Sequence, residues 1–249
     1  MLSAGINQPL EVTTIADAPA GTGLGSSSTL TVGLLNAFRA VGGSVSSCDK
    51  LAELACSIEI DTLGNPIGKQ DQYAAAFGGM NYMRFNSDGT VRVDRIPCER
   101  EVIKHIESHS LMVYTDQQRS ASKILEKQTQ GTVDKLAVLT EMRDMAGEMK
   151  NIVSSGANMQ DFGRLLDDGW RLKRSLGFGI TNGLIDDWYE AAKKAGAIGG
   201  KLLGAGGGGF LYFIAPPERH ERIVAALGNP KTLPVSFDSQ GSRVVFISD

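Results

Sequence analysis

Gly21-Thr22-Gly23-Leu24-Gly25 alternates glycine with larger residues, and Ser26-Ser27-Ser28 follows without a break. Leu30, Leu34, Leu35, Phe38 and Val41 then recur at helical spacing, which puts the serines in the first turn of a helix. Glycine lets a backbone turn left-handed and come close to a bulky group. The first N–H groups of a helix have no intrahelical partner and carry the positive end of its dipole. Together these features make an anion site, with hydroxyls at hand for hydrogen bonds or a hard cation. The blander reading is a glycine turn capping a helix. The dinucleotide fingerprint does not apply, because Ser26 stands where its third glycine would be.

The rest of the chain bounds what such a loop can serve. With 249 residues, 42% of them hydrophobic, the chain can bury a core as one large domain or two small ones. A net charge of -3 gives no basic footprint for nucleic acid, so phosphate binding falls to local loops. Cys48, Cys56 and Cys98 are odd in number and lack CxxC spacing, which argues against a disulfide framework and a zinc site and for a reducing, cytoplasmic setting. No apolar run approaches the ~18 residues of a membrane span.

Along the chain, Leu10 to Ala16 alternates like a strand, and Asp49 to Ile60 reads as a helix with Asp49 as its cap and Leu51, Leu54, Ala55 and Ile58 on one face. Gly78 to Phe85 and Thr90 to Ile96 read as a hairpin around Asn86-Ser87-Asp88-Gly89. Leu111 to Thr115 is a further strand. Helical spacing runs from Arg119 to about Ser155, from Met159 to Leu176 and from Leu184 to Ala195. Phe210 to Ile214 reads as a buried strand, Glu218 to Leu227 as a short helix, and Leu233 to Ile247 as two strands. Strand-rich and helix-rich parts without a βαβ rhythm predict an α+β fold.

Two further stretches can carry chemistry. Glu59 precedes Gly64-Asn65-Pro66-Ile67-Gly68-Lys69-Gln70-Asp71-Gln72, which gathers two carboxylates and a cation around a glycine break. Magnesium takes oxygen ligands from one or two carboxylates plus substrate phosphates, which makes Glu59 a candidate ligand and leaves Asp71 for an acceptor hydroxyl. The bland reading is a solvated acidic helix face. Lys201 to Gly209 is saturated with glycine ahead of the strand at Phe210, so something approaches that backbone closely or it forms a tight packing corner. It is not a Walker A loop, since Leu202 follows Gly200-Lys201 where Ser or Thr is needed. His105, His109 and His220 are scattered and read as surface or structural, and Trp170, Leu172 and Leu176 as a core stripe.

Pro19 to Ser28 resembles the second motif of the GHMP kinase superfamily, which includes galactokinase, homoserine, mevalonate and phosphomevalonate kinases, and Lys201 to Phe210 resembles its third. Gly68 to Tyr73 with Phe77-Gly78-Gly79 is most similar to the D-glycero-D-manno-heptose 7-phosphate kinase group, as are Thr115 with Arg119-Ser120-Ala121-Ser122 and Trp170 with Lys173. The resemblance implies a two-lobed fold, with a ribosomal protein S5 domain 2-like N-terminal lobe over residues 1–108 and an α/β C-terminal lobe over 109–249. It implies a magnesium- and ATP-dependent kinase acting on a hydroxyl of a sugar or sugar phosphate, most readily the anomeric hydroxyl of heptose 7-phosphate, with fucose or galactose as other acceptors. A homodimer is compatible with it; nucleic-acid and membrane partners are not expected.

By that resemblance Pro19, Gly21, Gly23, Leu24, Gly25, Ser26, Ser27 and Ser28 bind the nucleotide together with Gly204, Gly206, Gly207 and Gly208. Ser27, Ser28 and Glu59 hold the metal, and Asp71 and Lys69 are catalytic. Nothing before Leu10 resembles the family's first motif, a Pro-x-Arg-Ile followed by a Gly-Gly-Gly-Thr-Asp-like stretch. Exposed apolar surface or an unpaired sheet edge is therefore expected where those strands would lie. A catalytically impaired relative that binds nucleotide or sugar is the alternative.

Overall fold

The computed structural model describes residues 9–16, 21–117, 135–177 and 179–247. These fall into two compact units. The first is Gly25–Val93 with the described parts of Met1–Ala20 and Asp238–Asp249; the second is Gly21–Leu24 with the described parts of Asp94–Phe237. The compact units divide at Val93, and the last stretch of chain belongs to the first unit. Pro19, Arg119-Ser120-Ala121-Ser122 and the early part of the helix read from Arg119 lie outside the described residues.

In the first unit, helix α1 (Ser26–Val41) starts from Gly25, whose φ of 70° is left-handed. It packs on α2 (Cys48–Cys56) and α3 (Gln70–Phe77) through Ser28, Val32 and Leu35. That stripe differs from the one read in sequence: Leu30 and Val41 are exposed, because the two partner helices cover only the line one turn apart through Ser28, Val32 and Leu35. Ser47, not Asp49, caps α2, its hydroxyl accepting from Lys50 N at 3.3 Å.

The helix expected to run to Ile60 changes at Ser57 into a π-helical turn (Ser57–Thr62), with Leu63 N bonded to Ile58 O five residues back. That wider turn swings Glu59 inward. β1 (Asn81–Phe85) and β2 (Val91–Arg95) form the expected hairpin, whose turn is pinned by Asp88 Oδ1 accepting from Thr90 N at 2.9 Å. The core of the unit joins Val32, Leu35, Leu51, Ala52, Ala55, Cys56, Tyr73 and Ala76. Exposed apolar side chains gather in this unit too, Ile15, Val45, Val245 and Phe246 among them.

Two strand readings are corrected here. Residues 10–16 and 234–247 are irregular, since no described strand lies beside them to pair with and an alternating pattern cannot supply one. The second of these stretches instead crosses the end of α3, where Gly79 N donates to Asp238 O and Ser242 N to Ala75 O.

In the second unit α4 (Arg100–His109) leads into β3 (Ser110–Tyr114). Then come α5 (Leu136–Ser154), α6 (Met159–Ser175), α7 (Gly183–Ala195), β4 (Gly199–Leu202), β5 (Phe210–Ile214), a 3-10 turn (Pro217–Arg219), α8 (His220–Ala226) and β6 (Thr232–Leu233). The strands make one antiparallel sheet in the order β4-β5-β3-β6, with Leu111 opposite Phe213 and Gly200 also opposite Phe213 on the other side. Asn158 and Asn182 cap α6 and α7 through their side-chain oxygens.

Trp170, Tyr189, Leu211, Phe213, Ile185 and Ile223 form the core against the sheet, and of the stripe read in sequence Trp170 joins this core while Leu176 packs partly buried against it. Helix α6 crosses β4 at glycines: a Cβ on Gly199 would lie 1.8 Å from Gly163 O. The histidines are taken up in local contacts, the His105 and His109 rings tilted at 59° with centroids 4.4 Å apart and His220 Nε2 bonded to Ala215 O. Among the described residues no helix is long and apolar enough to cross a membrane, and the three cysteines form no disulfide.

Candidate active site

The glycine loop is divided by the chain's own organisation, Gly21–Leu24 belonging to the second unit and Gly25 onward to the first. Each part builds its own surroundings.

In the first unit, α1 begins with no side-chain cap and no acidic residue in its first turn, so its leading N–H groups are left for an anion. Ser27 Oγ donates to Glu59 Oε1 at 2.6 Å, and Gln72 Nε2 donates to Glu59 Oε2 at 2.7 Å. Glu59 is only 1% exposed. A buried carboxylate held by two neutral donors lacks compensating charge. Gln72 Oε1 is buried beside it with no partner among the described residues.

These two acceptors fit a hard cation, which prefers oxygen ligands and shares them with substrate phosphates. No cluster of three or more His, Cys, Asp or Glu among the described residues offers another metal site. Ser28 turns into the helix packing and makes no hydrogen bond to Glu59, so of the two serines only Ser27 reaches the carboxylate.

Asp71 stands in the first turn of α3 with its carboxyl against the loop: a Cβ on Gly25 would lie 3.3 Å from Asp71 Oδ2. A side chain at position 25 would push into that carboxyl. Its residue surface stays open to solvent, yet lost hydration raises its pKa, and the charge of Glu59 raises it further. Lys69 does not join this group. Its ammonium donates to Gly89 O at 2.8 Å, in the hairpin turn, and pairs with neither carboxylate.

In the second unit, Thr22 and Gly23 lie against the other glycine-rich stretch. A Cβ on Gly204 would fall 2.6 Å from Gly23 Cα, and one on Gly209 would fall 2.2 Å from Thr22 O. The rest of that stretch meets backbone as well, Gly206 against Ile180 and Gly208 against Gln117. What approaches these glycines so closely is the chain itself, so the packing-corner reading holds for them.

Thr115 fixes Gly209 with two bonds to its carbonyl, from N at 2.9 Å and Oγ1 at 2.8 Å. Lys173 Nζ donates to Gly204 O at 2.5 Å. Burial, then the like charge of Lys201, pushes the Lys173 ammonium down to about 8. Gln72, Lys173 and Lys201 are absent from the sequence-based site; the signals for them were Gln72's place beside Asp71, Lys173's place in the Trp170 resemblance and Lys201's at the head of the third motif.

Two family models match the chain, GHMP kinases N terminal domain over residues 1–79 and GHMP kinases C terminal over residues 149–231. A D-glycero-alpha-D-manno-heptose 7-phosphate kinase of Campylobacter jejuni is 33% identical over 86% of this chain and 63% of its own length. The L-fucokinase/L-fucose-1-P guanylyltransferase of Bacteroides fragilis is 29% identical over 86% of this chain and 23% of its own. Among solved structures, a D-glycero-D-manno-heptose 1-phosphate kinase from Bacteroides thetaiotaomicron superposes with a TM-score of 0.69 at 32% identity, covering 90% of this chain and 64% of that one. The chain thus spans a little under two thirds of the heptose kinases it matches.

Proposed function

The chain belongs to the GHMP kinases, and from that premise we propose that it transfers the γ-phosphoryl group of ATP to a hydroxyl of a sugar phosphate, D-glycero-D-manno-heptose 7-phosphate at its anomeric position. The observation that carries this reading is the buried Glu59, held by Ser27 and Gln72, in the same unit as Asp71 and the open start of α1. Phosphoryl transfer asks a protein mainly for positioning and for neutralisation of charge spread over oxygens.

The N–H groups of the first turn of α1, with Ser26 and Ser27, take phosphate oxygens. Gly21, Gly23 and Leu24 lead the chain into that turn, Gly204 packs on Gly23, and Gly206, Gly207 and Gly208 continue the stretch that Gly204 begins. Glu59 and Ser27 would hold magnesium, with Ser28 supporting them from the helix packing, and the ion would supply positive charge to the phosphates. Asp71 orients the acceptor hydroxyl and takes its proton as the oxygen bonds to the γ-phosphorus and the bridging bond to ADP breaks. Its raised pKa makes it a better acceptor than an ordinary aspartate. Lys69 would serve the phosphates only after leaving Gly89 O.

An acceptor panel tests this. ADP release from ATP and magnesium is followed with heptose 7-phosphate, fucose, galactose and homoserine. The reading expects turnover with heptose 7-phosphate to exceed the others at least tenfold. Turnover with none of them, while ATP still raises the melting temperature, would favour a nucleotide-binding relative without catalysis.

A further inference from the structure

In the second unit a cavity of about 210 Å³ opens between α5 and α6, bordered by β4. Met142, Met145 and Met149 line it from α5 and Trp170 from α6, and its polar groups are the ammonium groups of Lys173 and Lys201. It is far larger than the ~10–15 Å³ that admits one water.

Neither lysine has a carboxylate partner among the described residues. Lys173 gives one hydrogen bond, to Gly204 O, and the charge that bears on it is the like charge of Lys201. Two cations close together in an apolar setting without a counter-charge cost free energy unless an anion joins them. Neutral polar ligands do nothing for that cost. A phosphomonoester carries ~1.5 to 2 negative charges at pH 7 and three acceptor oxygens, which suits two lysines. Methionine side chains adapt to irregular apolar shapes, which suits the carbon skeleton that bears the phosphate.

We propose that this cavity is a phosphomonoester site, with Lys173 and Lys201 on the phosphate and the methionine and tryptophan wall on the group that bears it. The phosphate is that of a separate sugar-phosphate effector, which would act on Lys173, whose Gly204 partner touches Gly23 of the glycine loop.

Calorimetric titration without ATP tests the site, with D-mannose 6-phosphate, D-mannose and inorganic phosphate as probes. Mannose 6-phosphate should bind at least tenfold more tightly than mannose. Lys201→Gln should weaken it at least tenfold, Lys201→Arg should restore most of the loss, and Glu59→Gln should leave it unchanged. Should Lys201→Gln not fold, Met145→Trp, which fills the cavity, should abolish binding instead. No binding of mannose 6-phosphate, or binding indifferent to both variants, would overturn the proposal.

Kinetics then test the effector role: mannose 6-phosphate should alter turnover of an unphosphorylated acceptor in the wild type and not in Lys201→Gln. Absence of any phosphoryl transfer would sink the kinase reading and leave calorimetric binding to decide this one.

Discussion

Ser27 Oγ and Glu59 Oε1 lie 2.6 Å apart, a hydroxyl at the start of α1 donating to a carboxylate that the π-helical turn has carried into the core. A buried charge kept in place by neutral donors is costly by itself and useful once a cation arrives. Glu59→Gln should therefore leave the metal-free protein as stable as the wild type or more so. It should also abolish the rise in melting temperature that magnesium with ATP gives the wild type. Differential scanning fluorimetry with and without magnesium checks both signs. Ser27→Ala should lower kcat by about 10²-fold, the scale of losing one oriented group at a developing charge.

Asp71 titrates above the ordinary aspartate range through lost hydration and the neighbouring charge of Glu59. The raised folded-state pKa means protonated Asp71 favours the fold, a contribution present at low pH and lost as pH rises through that pKa. Activity runs the other way, because the ionised form receives the hydroxyl, so kcat/KM should fall as pH drops through the same pKa. Carboxyl NMR of the metal-free protein should show the Asp71 pKa moving down in Glu59→Gln. An unchanged titration would mean that Glu59 does not act on Asp71.

Gly204 has a φ of 71° and abuts Gly23 Cα. Gly204→Ala should add strain of ~1–3 kcal/mol and displace the loop, raising the KM for ATP more than it lowers kcat. Denaturant melts and ATP-dependent rates measure the two effects separately.

The crossing of α6 over β4 leaves no room at Gly199, where a Cβ would meet Gly163 O at 1.8 Å. Gly199→Ala should cost about 3 kcal/mol or more and lower the melting temperature by roughly 6–12 °C. Gly183→Ala, where a Cβ meets nothing within 4 Å, is the matched control and should change the melting temperature by less than about 2 °C.

What the sequence made legible was local. The glycine–serine loop, the hairpin around Asn86 to Gly89, the strand from Phe210 and the helices capped by Asn158 and Asn182 depend on neighbours a few residues away. The α+β class followed from them, as did Glu59 and Asp71 as residues to watch. Strands at Leu10 to Ala16 and beyond Leu233 were not secured that way, because a strand exists only with a partner and alternation does not name one.

The π-helical turn was invisible for a related reason: one extra residue in a turn leaves the composition unchanged while it decides whether Glu59 faces solvent or Gln72. Lys69 is named catalytic by the resemblance alone, and what no local spacing foretells is that its long side chain reaches Gly89 O in the hairpin turn. Lys173 and Lys201 meet only because α6 packs on β4, a long-range pairing that no spacing encodes.

The most direct measurement is kcat/KM for phosphoryl transfer from ATP to heptose 7-phosphate by wild type beside Asp71→Asn, both shown folded by circular dichroism and both with magnesium. The account predicts a loss of at least 10²-fold in Asp71→Asn, carried by kcat, with the KM for ATP nearly unchanged. Equal rates for the two proteins would contradict it.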